Sequence, residues 1–149
     1  MKKTFFVTLV CVIFSFASSV LAAPYADIVI DADTNEVLHE LHSDMRVHPA
    51  GLTKLITLYA VFEAIRAGEI SLDDKLQVSA KAAAETEVKL GLEAGTELEV
   101  RYLLRAVAVA GANDASTVLG EGLAGSEHAF GRLLNKKSKE LGLTSSTWR

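Results

Sequence analysis

Lys54 stands in the setting most suited to chemistry. It ends the stretch His48-Pro49-Ala50-Gly51-Leu52-Thr53-Lys54, and the apolar run Leu55 to Ile65 follows directly. That run needs a helix, and Pro49 suits a helix start because its missing N–H would be unpaired there anyway. Residues 51 and 54 then lie one turn apart on one face. A partly desolvated lysine is a base, and a hydroxyl one turn earlier would be its nucleophile for acyl transfer. The chain has the lysine and lacks the hydroxyl, because position 51 is glycine. A second polar group comes at Ala110-Gly111-Ala112-Asn113-Asp114-Ala115. Read singly, all of these residues are ordinary: Lys54 a helix-surface lysine, Asn113 a helix N-cap or turn residue, Gly51 and Gly111 turn glycines.

No other residue takes the missing nucleophile's place. Thr53 is about 200° around the helix from position 51. Thr57 lies one turn past Lys54, on its wrong side, and nothing positions Ser43. Four histidines and many carboxylates permit a Ser-His-Asp triad on paper, but triads are recognised by geometry and no local pattern marks one. His39-Glu40-Leu41-His42 invites a zinc reading. The helical zinc motif needs its histidines four apart, and here they are three apart at the end of an expected strand. Surface histidines are the better reading, and no metal or cofactor is assigned.

The elements that must hold these residues follow in order. Residues 1–22 have the charged start (Lys2, Lys3), apolar run and small-residue ending of a secretory signal peptide, with cleavage after Ala22. The run is short for a bilayer span. The only cysteine, Cys11, lies inside this leader, so the mature chain has no disulfide and no thiol nucleophile. It leaves 13 basic against 19 acidic residues, a net charge of −6, which disfavours nucleic acid as a partner. No second apolar span follows, so the product is expected outside the cytoplasm, without an integral membrane span after cleavage. Tyr25–Asp31 reads as a strand, Asp31–Asn35 as a turn and Glu36–Leu41 as the returning strand of a hairpin. Gly68 caps the helix that starts near Pro49. Lys75–Val78 and Glu97–Val100 are short extended pieces, with a helical turn or two in Ser79–Glu87. Arg101–Ala110 is a second buried helix ending at Gly111, and Ala115–Leu123 a third. Ser126 caps a fourth, Glu127–Leu141. Lys136, Lys137 and Lys139 in its last turns suit the helix dipole and read as a solvated face.

His48 to Lys54 resembles the active-site segment of the serine D-alanyl-D-alanine carboxypeptidases, the low-molecular-mass penicillin-binding proteins, which read His-Pro-Ala-Ser-Leu-Thr-Lys there. The segment from Ala110 to Ala115 is similar to the family's Ser-x-Asn motif running on into Asp-Ala. The resemblance covers Tyr25 to Arg149. It implies an α/β (α+β) fold of the β-lactamase/transpeptidase-like type, built from an N-terminal β-hairpin and a helical part. It also implies that residues 23–149 form an incomplete domain, lacking the C-terminal strands of the sheet and the family's third motif, Lys-Thr-Gly. Of the family's site positions, Lys54 (base) and Asn113 (binding the peptide amide) are retained. Gly51 stands at the nucleophile position and Gly111 at the position of the proton-relaying serine.

Three readings compete. An active carboxypeptidase that trims peptidoglycan stem peptides would need an unrecognised nucleophile. A non-catalytic relative would bind the stem peptide or a cell-wall enzyme. A remnant would do neither, and its helices would expose apolar surface at Leu58, Phe62 and Ile65. The residues favour a family member without catalysis. The leader carries its own test: mass spectrometry of exported protein should give a mature N-terminus at Ala23, and full-length chain held in the membrane would count against cleavage.

Overall fold

The computed structural model describes residues 25–148, which fall into two compact units divided between Val47 and His48. The leader read at residues 1–22 lies outside the described residues.

The first unit is a two-stranded antiparallel hairpin, β1 (Asp27–Ile30) and β2 (Val37–Leu41). Its turn is built on Asp31, whose Oδ1 accepts from the Asp33 and Thr34 N–H groups and the Thr34 hydroxyl. Those bonds, the Thr34 N–H first, hold the Asp31 carboxyl below its usual range. The register runs Asp27↔Leu41 to Val29↔His39, then slips at a bulge before Ile30↔Val37. His39 and His42 are not a pair: His39 Nε2 sits 3.2 Å from Asp27 Oδ1, and His42 Nδ1 lies 3.3 Å from the Tyr25 carbonyl. Ile28, Val29, Ile30 and Leu38 are all more than half exposed or close to it, so the ribbon by itself buries little.

The second unit holds the core. A 3-10 turn, Ala50–Leu52, leads into α1 (Thr53–Ala67). Pro49 therefore precedes the 3-10 turn, and the α-helix proper begins four residues after it, at Thr53. Gly68 ends α1 in the left-handed conformation, φ 75°, which glycine adopts without penalty. The two short extended pieces pair with each other as a second antiparallel sheet, β3 (Lys75–Gln77) and β4 (Glu97–Glu99), with Leu76 opposite Leu98. Between them lies α2 (Ala80–Ala83), capped by the Ser79 hydroxyl, which accepts from Ala82 N–H at 2.9 Å. Helix α3 (Val100–Arg105) widens into a π turn, Ala106–Ala110, before Gly111. Then come α4 (Asn113–Ala124) and α5 (Glu127–Glu140), the latter capped by Ser126.

Helix α4 is the hub, touching α1, α2, α3, α5 and β3. Ala115, Val118 and Leu119 pack there against Val61, Val78, Val100 and Leu103, all essentially without solvent contact. A smaller cluster joins Ile56 and Ala60 of α1 to Phe130 and Leu134 of α5. Contrary to the sequence reading, Leu58 and Ile65 are half-buried against the core. The exposed stripe begins at Leu52 of the 3-10 turn and runs along α1 through Leu55, Tyr59 and Phe62, at the three-and-four spacing of one helix face. Lys137 does not simply face solvent: its ammonium lies 2.7 Å from Glu63 Oε2 and 3.3 Å from Glu140 Oε2, tying α5 to α1. The Lys137 hydrogen bond holds the Glu63 carboxyl below its usual range.

Close approach of α4 and α5 depends on Gly120. A Cβ there would sit 2.6 Å from Phe130 Cδ1 and 3.0 Å from Cγ, against a ring that is itself buried. Gly120→Ala should cost about 1–3 kcal/mol of stability through overpacking, read as a lower midpoint in thermal or denaturant unfolding. Gly122→Ala would bring a Cβ to 2.5 Å from Leu76 Cδ1 and 3.1 Å from its Cγ, but Leu76 is only half-buried and can shift, so it should cost less.

Candidate functional site

The two motif segments sit on elements that touch, since α1 packs against both the π turn and α4. Gly51 lies in the 3-10 turn, closed by the Leu52 N–H donating to the Pro49 carbonyl at 2.6 Å. In that geometry residues three apart eclipse, so the turn leads from position 51 towards Lys54. Lys54 is half-buried in the first turn of α1 and makes no ion pair with a described residue. Nothing lies within 4 Å of a Cβ added at Gly51.

Gly111 differs from Gly51. It ends the π turn at φ 65°, its N–H donating to the Val107 carbonyl at 3.1 Å. Space around it is open, but the backbone is left-handed, which costs an L-residue of order 1–2 kcal/mol. Asn113 is the first residue of α4 rather than its cap, a position Ala112 takes with extended backbone. Its N–H donates to the Val88 carbonyl at 2.8 Å, and its side-chain Nδ2 to the Thr86 carbonyl at 3.2 Å. Its amide thus holds the loop that runs beside α4.

A residue to which the sequence reading gave no role is Asp114. It is fully buried. Its carboxylate accepts from the N–H groups of Leu90 (3.1 Å), Gly91 (2.8 Å), Leu92 (3.1 Å) and Ala115 (2.9 Å). Burial pushes its pKa up, but the four backbone donors outweigh burial and hold it below the ordinary value of 3.8. Thr117, one turn on from Asn113, donates to Glu85 Oε1 at 2.8 Å. The sign available in the sequence was an acidic residue four before Val118, on the apolar face of α4; a buried acid must be paired. Of the substitute nucleophiles weighed, Ser43 donates to Glu40 Oε2 at 3.1 Å on an exposed segment. Thr53 and Thr57 line a cavity between α1, α4 and α5 that Gly51 does not reach.

Comparison with known proteins decides what this framework is. A sequence model described as D-alanyl-D-alanine carboxypeptidase matches residues 17–149. The chain belongs to the D-alanyl-D-alanine carboxypeptidase family. Among curated relatives it is 38% identical over 122 residues to the D-alanyl-D-alanine carboxypeptidase DacF of Bacillus subtilis (strain 168), covering 82% of this chain and 31% of that protein. It is 34% identical to DacC of Escherichia coli (strain K12), covering 89% and 36%. The crystal structure of DacD from Francisella tularensis superposes with a TM-score of 0.78 at 34% identity, over 86% of this chain and 31% of that one. Penicillin-binding protein 5 from Haemophilus influenzae gives the same TM-score at 28% identity, over 87% and 40%. The fold is therefore β-lactamase-like, of mixed helix and strand. The chain spans about a third of the length of the curated relatives it matches.

Asp114→Asn would turn an N–H₂ towards backbone donors and should cost about 2–3 kcal/mol at neutral pH. A carboxyl whose folded pKa is lowered stabilises fully above its unfolded value and loses that effect as pH falls through the folded one. The gap in thermal midpoint between the native chain and Asp114→Asn should hold from neutral pH down towards 3.8 and narrow below it. A gap that persists unchanged into stronger acid would show that ionisation of Asp114 is not its source.

Proposed function

We propose that this protein is an exported, non-catalytic member of the D-alanyl-D-alanine carboxypeptidase family, with residues 1–22 as its leader and residues 23–149 as a carboxypeptidase-like domain. It holds rather than cleaves the peptidoglycan stem peptide. The observation that carries this reading is glycine at position 51. Acyl transfer in the family's manner needs a side-chain oxygen there, and Gly51 offers none. Lys54 remains as a cation beside the empty position, and Asn113 remains at the start of α4. Gly111 removes the second hydroxyl. A working exported carboxypeptidase with another nucleophile is the weaker reading, since the hydroxyl of Ser43 is bonded to Glu40, and Thr53 and Thr57 line a separate cavity that Gly51 does not reach.

The two glycines respond differently to repair. Gly51→Ser meets open space and an ordinary backbone, so the variant should fold as the native chain does. Gly111→Ser meets a left-handed backbone and should lose of order 1–2 kcal/mol. Residues that act as a unit regain little when one is restored. Incubation with a fluorescent penicillin should give no covalent adduct on the native chain, and hydrolysis of a D-alanyl-D-alanine peptide by Gly51→Ser should be negligible. A stable adduct on the native chain, located by peptide mass, would overturn the reading and identify the acylated residue.

A further inference from the structure

Between the first turns of α1, the outer face of α4 and the start of α5 lies a cavity of about 160 Å³ with Trp148 in its wall. None of Gly51, Lys54, Gly111 and Asn113 lines it. Its lining combines the hydroxyl-bearing residues Thr57, Ser116 and Thr117 with the apolar residues Phe130, Leu134 and Trp148. Thr57 is only 5% exposed, and its hydroxyl makes no hydrogen bond to a described residue. The hydroxyl of Thr117 donates to Glu85 and so keeps its oxygen free to accept. The one charged residue in the wall, Glu127, is already paired with Lys81.

Size and polarity narrow what this space takes. Sites for drug-sized ligands run from about 300 Å³ upward, so this cavity suits one functional group rather than a whole sugar or peptide. It has room for about five waters at roughly 30 Å³ each. Hydroxyls both donate and accept, and no unpaired charge faces them. A matching ligand is therefore uncharged, carries a donor and an acceptor side by side, and has a small apolar end for the aromatic wall. We propose that the cavity is a binding subsite for a small uncharged amide, presented either as the acetamido group of an amino sugar or as a carboxamide. The proposal does not depend on whether position 51 can be acylated.

Trp148 is the only tryptophan, so its emission reports on the cavity in the full chain. Titration with N-methylacetamide should shift that emission saturably, while acetate, of similar size but charged, should not. Saturation by N-acetylglucosamine with glucose silent would support the proposal and name the amino sugar as source. Tighter saturation by propionamide would support it and name a carboxamide. Thr57→Val keeps the shape of the side chain and should weaken amide binding up to about tenfold, the effect of one hydrogen bond. Ser116→Ala, on α4 rather than α1, should act in the same direction and serves if Thr57→Val fails to fold. Absence of saturation by every amide, equal response to acetate, or unchanged amide affinity in a folded Thr57 or Ser116 variant would each overturn the proposal.

Discussion

One buried carboxylate organises the second unit. Asp114 brings a full negative charge into a place without solvent, a penalty that would favour protonation or unfolding if the charge were unpaired. Three consecutive backbone N–H groups, from Leu90 to Leu92, close on it, joined by the N–H of Ala115. These donors belong to a loop with no ladder of its own, so each side supplies what the other lacks. The neighbouring bonds from Asn113 to Thr86 and Val88, and from Thr117 to Glu85, extend the same seam. The loop over residues 85–92 is thereby a fixed part of α4's surroundings, and α4 is the helix against which every other helix of the unit packs.

The matched glycines look alike in the sequence and are unlike physically. Gly51 occupies ordinary backbone in open space, so its lack of a side chain is a chemical fact with no conformational reason behind it. Gly111 closes a widened turn in the left-handed region, where a side chain of any kind is strained. Loss of the hydroxyl at position 111 is thus entangled with local backbone geometry, and loss at position 51 is not.

Much of the fold was legible because its signals are local. The hairpin could be read from β-branched residues around the Asp31–Asn35 turn, the stop at Gly68 from a glycine after an apolar run, and the cap at Ser126 from a hydroxyl before a helix. Pairing of β3 with β4 was not legible, since three-residue strands separated by a helix and a loop carry no register information. The π turn was hidden inside an unbroken apolar stretch that reads equally well as α. Asp114 was missed because three of its four partners are backbone groups more than twenty positions earlier, which no side-chain pattern announces. The clamp at the tail was equally silent: Asn135 gives its side-chain N–H to the Trp148 carbonyl and takes the Trp148 N–H in return, while the indole N–H reaches Ser138 at 2.6 Å. Of the candidate site, Lys54 and Asn113 stood out by spacing and resemblance, whereas the hydroxyl-lined cavity arises only when three helices meet.

The π turn at Ala106–Ala110 bears on how the chain tolerates changes of length. A π turn is a local widening that holds an extra residue within an otherwise α-helical run, and here Val109 is left facing solvent, 87% exposed, while Ala106 and Val107 stay in the core. Deleting one residue from this stretch allows α3 to close to α geometry with both of its ends still in place. The same deletion within α4 would rotate every later side chain by about 100° and take Val118 and Leu119 out of the core. The turn before Gly111 is therefore a reserve of length next to a segment whose register is fixed.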